Sequence, residues 1–224
     1  MKRIILITGG QRSGKSSYAE RLALSLSKNP IYMATSRVWD EEFALRVKRH
    51  KESRGICWTN IEEEKELSKH DVSDRVVLID CVTLWATNFF YDLSKELENS
   101  SDLNTKRESL LVNSTPNICK STYIKSHRDN DDKITNTPKK ISTKGVEKDF
   151  LVQEALRRLK TEFDKFTSQN STFIFVTNEI GMCGVSVNKF QRQFTDMQGW
   201  ANQYIASKAN DVVFMVSGIP MQVK

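Results

Sequence analysis

The chain has 224 residues, of which 38% are hydrophobic, and its net charge is +6. This length fits one α/β domain with an ample core, and no apolar run approaches the roughly 20 residues that cross a bilayer. About half of the net positive charge lies in Ser94–Lys148, which has 11 Lys and Arg against 8 Asp and Glu, so the sequence predicts no basic nucleic-acid-binding face.

The cellular compartment is indicated by the N-terminus and the cysteines. The first residues, "MKRIILITGG", do not resemble a secretion signal. The four cysteines are scattered and form no C-x-x-C pair. We therefore expect a reduced, soluble, cytoplasmic protein.

Short apolar, β-branched runs alternate with helical patterns along the chain. The runs are typical of buried strands, and the patterns repeat apolar residues at steps of about four. This alternation predicts a mainly parallel sheet with helices on both faces and ligands at the carboxyl ends of its strands. The predicted strands are Arg3–Thr8, Ile31–Thr35, Val76–Asp80, Thr172–Thr177 and Asp211–Ser217, and the helical patterns span 18–26, 151–166 and 190–204.

A glycine-rich motif follows the first predicted strand. "GGQRSGKS" fits G-x-x-x-x-G-K-[ST], the phosphate-binding P-loop, and it opens a helical pattern. Glycines let backbone N–H groups curl around phosphate oxygens, the lysine reaches the β- and γ-phosphates, and the serine hydroxyl can ligate Mg²⁺. The alternative is a strand-to-helix turn without a ligand. The predicted nucleotide-binding residues are Gly9, Gly10, Gln11, Arg12, Ser13, Gly14, Lys15 and Ser16.

A histidine lies at the end of the next helical pattern. "DEEFALRVKRHK" predicts a helix with Asp40 as N-cap and cations in its last turn, where they complement the helix dipole. By this reading His50 is one more helix-end residue. Beside a bound nucleotide, however, a neutral imidazole is a competent nucleophile toward phosphorus. The residues alone leave both readings open.

An aspartate ends the third predicted strand. Asp80 closes "VVLID", where an ionised carboxylate can hold the Mg²⁺ of a P-loop directly or through water. The alternative is a residue that starts a turn or caps the following helix. We predict Ser16 and Asp80 as the metal ligands.

The segment from about 94 to 148 has a different composition. It is rich in Ser, Thr, Asn, Lys and Asp, has a single aromatic residue, Tyr123, and shows no sustained period. We predict a long, polar, mobile inserted loop within a single domain spanning residues 1–224. A lid or partner-binding arm is the functional alternative.

Six stretches in this order resemble the bifunctional adenosylcobinamide kinase / adenosylcobinamide-phosphate guanylyltransferase family of cobalamin (vitamin B12) assembly. The resemblance covers nearly all of the chain outside the insertion, and it implies a P-loop NTPase-type, RecA-like α/β fold. The stretches are "TGGQRSGKS", "YMATSRVWDEEFALRVKRHKESRG", "WTNIEEE", "IDCVTLWATN", "VTNEIGM" and "FTDMQGWANQYIASKANDVVFMVSGI".

The resemblance implies two reactions and a homotrimer. Enzymes of this family phosphorylate the aminopropanol hydroxyl of adenosylcobinamide with ATP or GTP. They then transfer GMP from GTP to the new phosphate through a GMP-histidine intermediate, giving adenosylcobinamide-GDP and pyrophosphate. The reactive histidine corresponds to His50. Mg²⁺ is the expected cofactor, and small molecules rather than nucleic acid are the expected partners.

The family's other nucleotide-contacting positions can be matched one at a time. Glu62 is the weakest match, because "IEEEKE" also fits an exposed helical face. Residues 178–187 depart from the family pattern, with Cys183 in place of a glycine and Ser186 in place of a proline, and we leave them out of the predicted site. The matched positions outside the P-loop are Ala34, Thr35, Ser36, Lys51, Glu52, Ser53, Arg54, Glu62 and Asp80.

Two functional alternatives remain open at this point. A guanylyltransferase that has lost the kinase step would keep both the P-loop and His50. A regulatory nucleotide-binding module would keep the P-loop and use His50 only as a helix-end residue. Turnover of nucleotide in the presence of adenosylcobinamide separates these alternatives from the bifunctional enzyme.

Overall fold

The fold is an α/β sandwich built on one seven-stranded sheet. A computed structural model describes residues 2–37, 55–99 and 143–224. For residues 143–149 it describes the backbone only. The strands are β1 (Arg3–Gly9), β2 (Ile31–Ala34), β3 (Thr59–Glu62), β4 (Val76–Asp80), β5 (Thr172–Val176), β6 (Asp211–Val216) and β7 (Ile219–Gln222). The helices are α1 (Lys15–Leu26), α2 (Val82–Asn99), α3 (Thr143–Phe166) and α4 (Lys189–Lys208), with short 3₁₀ turns at Leu67–Lys69 and Ile180–Met182.

The sheet is parallel except at one edge, as the sequence predicts. Its strand order is β3-β2-β4-β5-β1-β6-β7, and only β7 runs antiparallel, beside β6. Both faces of the inner strands are buried, which explains why these strands appear in the sequence as continuous apolar runs. Within the described ranges, no helix combines the length and apolar character needed to cross a membrane.

Alternate residues of the strands supply two separate cores. Leu6 and Phe175 point to the face covered by α2, α3 and α4, whereas Ile7 and Val176 point to the face covered by α1. This is the period of two that a pleated strand imposes on its side chains. Aromatic rings fill the larger core, where the Phe163 and Phe175 ring centroids lie 5.1 Å apart.

The helical patterns at 18–26, 151–166 and 190–204 are confirmed, whereas the helix predicted over 40–51 lies outside the described residues. The bounds of α2 and α3 correct those of the predicted insertion. Helix α2 continues to Asn99 and helix α3 begins at Thr143, so both ends of the segment predicted as a loop, 94–99 and 143–148, are helical. Ser94 and Leu93 are buried on α2, because one face of the polar segment's start still packs on the core. Residues 100–142 lie outside the described residues.

Strands β3 and β7 are absent from the sequence prediction. Strand β3 is short and alternates between half-buried and exposed residues, and every residue of β7 is exposed. Both are edge strands, which bury too little to need an apolar run. Because β3 ends at Glu62, the helical alternative for that residue is wrong.

A buried carboxylate holds the chain where it leaves β3. The Glu63 backbone N–H donates to Ala34 O at 3.0 Å, and Glu63 Oε1 accepts the backbone N–H groups of Lys65 and Glu66 at 3.1 and 3.0 Å. Lys69 pairs with its other oxygen. Burial opposes ionisation, but these hydrogen bonds outweigh it and lower the pKa of Glu63 to about 2.

We expect Glu63→Gln to lower the free energy of unfolding by about 1–3 kcal/mol at pH 7, since hydrogen bonds to a charged group are lost. The carboxylate has a depressed pKa in the folded state, so its stabilisation is present above its ordinary pKa of 4.5 and is lost as pH falls toward 2. Urea unfolding at pH 7 and pH 4 measures this difference. Glu98→Gln, on the exposed end of α2, is the control, and an equal loss in both variants would contradict the prediction.

Candidate active site

The carboxyl ends of five parallel strands form one row. Strand register pairs Glu62 with Ala34, Ala34 with Asp80, and Asp80 with Val176, which in turn pairs with Ile7. The row therefore brings together the strand ends that the sequence predicts to carry the site. It is also long: four inter-strand steps of about 4.8 Å separate β3 from β1, so Glu62 lies ~19 Å from the P-loop strand.

The P-loop is built against the turn between β6 and β7. Gly9 has φ +152°, and a Cβ placed there would meet Met215 O at 2.5 Å. Gly14 has φ +89° and precedes the first residue of α1, a conformation that favours glycine. Gly218 N donates to Ser13 O at 3.0 Å. Two glycines of the motif are thus required by backbone geometry, while the loop's outer residues Gly10, Gln11 and Arg12 are exposed.

Lys15 is the buried cation of this loop. Its Nζ donates to Gly10 O at 2.6 Å and lies 3.5 Å from Ser13 Oγ. Burial lowers the pKa of the Lys15 ammonium, while Cys81 and the Asp80 carboxylate act in the opposite direction. Lys15 and Asp80 are therefore close enough to interact electrostatically, as a P-loop lysine and a metal-binding aspartate require.

Asp80 is held from the neighbouring strand. Tyr32 O–H donates to Asp80 Oδ2 at 2.6 Å, and the Tyr32 ring meets Trp58 edge to face with centroids 5.7 Å apart. This contact orients the carboxylate at the end of β4.

The residues present suit a magnesium ion shared with a nucleotide. Among the described residues, no group of three or more His, Cys, Asp or Glu could hold a metal without other ligands. Mg²⁺ typically takes one or two protein oxygens and completes its shell with phosphates and water. The Asp80 carboxylate and the Ser16 hydroxyl, in the first turn of α1, are donors of that kind.

Residues 34–36, at the end of β2, both join neighbouring elements and present surface to a ligand. Thr35 is buried; its Oγ1 donates to Cys81 O at 2.8 Å, and its carbonyl accepts Asn88 Nδ2 at 2.8 Å. Its side chain therefore joins β2 to the start of α2. Ala34 and Ser36 are half-buried, so they present more surface to a ligand than Thr35 does.

Part of the predicted site lies outside the described residues. These are the predicted nucleophile His50 and the four residues that follow it, Lys51, Glu52, Ser53 and Arg54. Their assignments remain predictions. Glu62 is exposed at the end of β3, at the far end of the row from the P-loop.

One residue that sequence reasoning left out borders the P-loop. The Glu179 backbone N–H donates to Gly9 O at 3.0 Å, so the segment after β5 runs beside the first glycine of the motif. Glu179 belongs to residues 178–187, which depart from the family pattern and are not part of the predicted site. Its position directly after a buried parallel strand was the signal that could have identified it.

Comparison with known proteins gives concordant results. The family model described as "Cobinamide kinase / cobinamide phosphate guanyltransferase" matches residues 5–223. The bifunctional adenosylcobalamin biosynthesis protein CobU of Escherichia coli is 29% identical, with 99% of each chain covered. CobU of Salmonella typhimurium is 28% identical over 99% of both chains, and CobP of Pseudomonas aeruginosa is 29% identical over 98% of this chain and 96% of the relative.

The two neighbouring glycines at the start of the P-loop should differ in their tolerance of a methyl group. We expect Gly9→Ala to lower the free energy of unfolding by more than about 1 kcal/mol and to weaken nucleotide binding, because its Cβ overlaps Met215 O. Gly10→Ala, where nothing lies within 4 Å of the added Cβ, is the matched control and should retain wild-type stability. Thermal unfolding with and without nucleotide measures both effects. Equal stability of the two variants would show that the close approach of Gly9 to β6 is unimportant for stability.

Proposed function

The chain belongs to the cobinamide kinase / cobinamide phosphate guanyltransferase family, and we propose that it catalyses both reactions. It phosphorylates the aminopropanol hydroxyl of adenosylcobinamide with ATP or GTP, then transfers GMP from GTP to that phosphate. The products are adenosylcobinamide-GDP and pyrophosphate. The observation that carries the proposal is the P-loop with its buried lysine, set on the same sheet edge as Asp80.

In the kinase step, the P-loop residues bind and polarise the terminal phosphate. Negative charge spreads over the γ-phosphoryl oxygens in the transition state, and donors fixed beforehand stabilise it most. Lys15, already desolvated, exchanges its bond to Gly10 O for phosphate oxygens, and the N-terminus of α1 adds its partial positive charge. Ser16 and Asp80 would hold Mg²⁺, which would supply further positive charge at the phosphates.

In the transferase step, the proposed nucleophile is His50. Its imidazole nitrogen forms a bond to the α-phosphorus of GTP, the bond to the bridging oxygen breaks, and pyrophosphate leaves. The phosphate of adenosylcobinamide phosphate then attacks the GMP-histidine and releases the imidazole. Lys51 and Arg54 neutralise phosphate oxygens during both transfers. These roles rest on the family resemblance and on the sequence around His50.

The length of the strand row constrains how the nucleotide lies. Because Glu62 is ~19 Å from the P-loop strand, it cannot contact the phosphates bound there. We place the triphosphate at β1 and the rest of the nucleotide along the edge toward Ala34, Ser36 and Glu62. The roles of Glu52 and Ser53 in nucleotide binding rest on the family resemblance alone.

The proposed setting is a cytoplasmic homotrimer that acts on small molecules and does not bind nucleic acid. Three cysteines in the described part of the chain, Cys57, Cys81 and Cys183, are free, which fits a reducing compartment. The edge strand β7 exposes Ile219 and Met221, and apolar side chains on an open edge favour contact with another subunit.

The test of the transferase proposal is covalent labelling. The protein is incubated with Mg²⁺ and GTP labelled at the α-phosphate, and we expect an adduct that is stable to base and labile to acid. His50→Asn should abolish it, because the nucleophilic nitrogen is lost. His70→Asn is the matched control, since His70 lies beside Glu63 and is not among the predicted site residues. Absence of label on every protein, with GTP still bound, would overturn the transferase proposal.

The kinase proposal is tested with nucleotide labelled at the γ-phosphate and with adenosylcobinamide as acceptor. We expect Lys15→Met to lower kcat about 10²–10³-fold, because a preorganised cation is lost at the developing charge. Lys28→Met, at an exposed position after α1, should have no effect. Covalent labelling without any phosphoryl transfer by the wild type would identify a guanylyltransferase that lacks the kinase step.

A further inference from the structure

Glu179 follows the central strand β5, which lies between the strand that leads into the P-loop and the strand that ends at Asp80. Strand β5 separates β1 from β4 in the sheet, and Val176 pairs with Ile7 on one side and Asp80 on the other. Glu179 is three residues beyond Val176 on the same edge. The chain at this position therefore runs along the sheet edge that carries the phosphate loop and the predicted metal ligand.

The backbone of this segment is fixed to its neighbours on both sides. Thr177 N donates to Ile7 O at 3.0 Å and Glu179 N donates to Gly9 O at 3.0 Å. On the other side, Asn178 N donates to Thr83 Oγ1 at 3.0 Å. Glu179 therefore extends from a chain segment joined to the P-loop and to the start of α2.

The Glu179 carboxylate is oriented through one of its two oxygens. Oε2 accepts Thr8 Oγ1 at 3.4 Å and Asn202 Nδ2 at 3.3 Å. Within the described part of the chain, Oε1 has no hydrogen-bond partner, and the side chain is half-buried rather than enclosed. The second oxygen is thus free to contact a ligand at the sheet edge.

A buried polar network fixes the group that orients this carboxylate. Asn202 Oδ1 accepts Thr177 Oγ1 at 2.7 Å and Gln198 Nε2 at 2.9 Å, and its Nδ2 also donates to Asn178 O at 3.1 Å. Gln198 is fully buried, and among the described residues its Oε1 has no hydrogen-bond partner. Burial of so many polar groups is costly unless their hydrogen bonds are satisfied. The network keeps Asn202, and through it Glu179, in one geometry.

Glu179 differs from the other well-held carboxylates of the molecule in having only neutral partners. Glu63, Asp92 and Glu154 each pair with Lys or Arg, which stabilises the anion and makes it a weaker base. For Glu179 the described side chains provide a hydroxyl and an amide. The other two carboxylates of this sheet edge are placed differently. Asp80 accepts a hydrogen bond from Tyr32, and Glu62 is too distant from the P-loop.

We propose that Glu179 is the general base of the phosphoryl-transfer step, an inference that rests on the proposed kinase function. The proton of the substrate hydroxyl passes to Glu179 Oε1 as the alcohol oxygen forms its bond to the γ-phosphorus. The bond from that phosphorus to the β,γ-bridging oxygen breaks, and the nucleoside diphosphate leaves. The transferase step needs no such base, because its nucleophiles are a neutral imidazole and a phosphate anion.

The test compares the two steps in Glu179→Gln. Glutamine keeps the size of the side chain and an oxygen that can accept from Thr8 and Asn202, but it cannot take the proton. We expect kcat for phosphorylation of adenosylcobinamide to fall about 10²–10⁴-fold, with KM for the nucleotide within about threefold. GMP transfer to supplied adenosylcobinamide phosphate should proceed at the wild-type rate.

Two further variants make the test decisive. Glu179→Asp keeps a carboxylate one methylene shorter and should retain more kinase activity than Glu179→Gln. Glu98→Gln, a surface change on α2, should match the wild type in both steps. The thermal midpoint and nucleotide affinity of each variant are measured alongside.

Each alternative result has a separate meaning. Kinase activity of Glu179→Gln equal to that of the wild type would overturn the general-base role. Equal loss of both steps, with weaker nucleotide binding, would also overturn it and make Glu179 a brace for the P-loop. A wild-type protein that labels with GMP but phosphorylates no adenosylcobinamide would overturn the kinase function itself, and this inference with it.

Discussion

The arrangement of the site depends on the register of the parallel strands. Each pairing from β3 across to β1 aligns the carboxyl end of one strand with that of the next. A shift of a single residue in any pairing would turn the side chains of that strand to the opposite face. Because the two faces pack against different helices, such a shift would unpack both cores. Packing of the interior therefore sets the positions of the catalytic groups.

The parts of the fold that could be predicted are those where burial dictates the residue types. Strands β1, β4 and β5 are apolar on both faces, so they stand out in the sequence, as does the glycine-lysine motif, whose residues follow from backbone geometry and charge. Strands β3 and β7 could not be found in this way, because edge strands impose little on their side chains. The helical ends of the polar segment could not be predicted for a similar reason. A helix that buries only one face can be polar in overall composition.

Among the site residues, the sequence was informative where chemistry requires one residue type at one place. The predicted roles of Lys15 and Asp80 meet that condition, and both residues lie at the same edge of the sheet. The residues that orient the carboxylates of the site do not meet this condition. Tyr32 hydrogen-bonds to Asp80 across 48 positions of sequence, and Asn202 reaches Glu179 from a helix 23 residues later. Such contacts depend on tertiary packing, which no local pattern encodes.

The bond from Gly218 to Ser13 has a consequence for biosynthesis. The P-loop is encoded near the start of the chain, but its supporting turn is more than 200 residues later. As the ribosome extends the chain, the glycine-rich segment emerges early. It lacks its supporting contacts until β6 and the following turn have been synthesised. Contacts of such high sequence separation form late and slowly. Nucleotide binding at this loop is thus a property that a nascent chain gains only after β6 and the turn beyond it have been synthesised and have paired with the first strand.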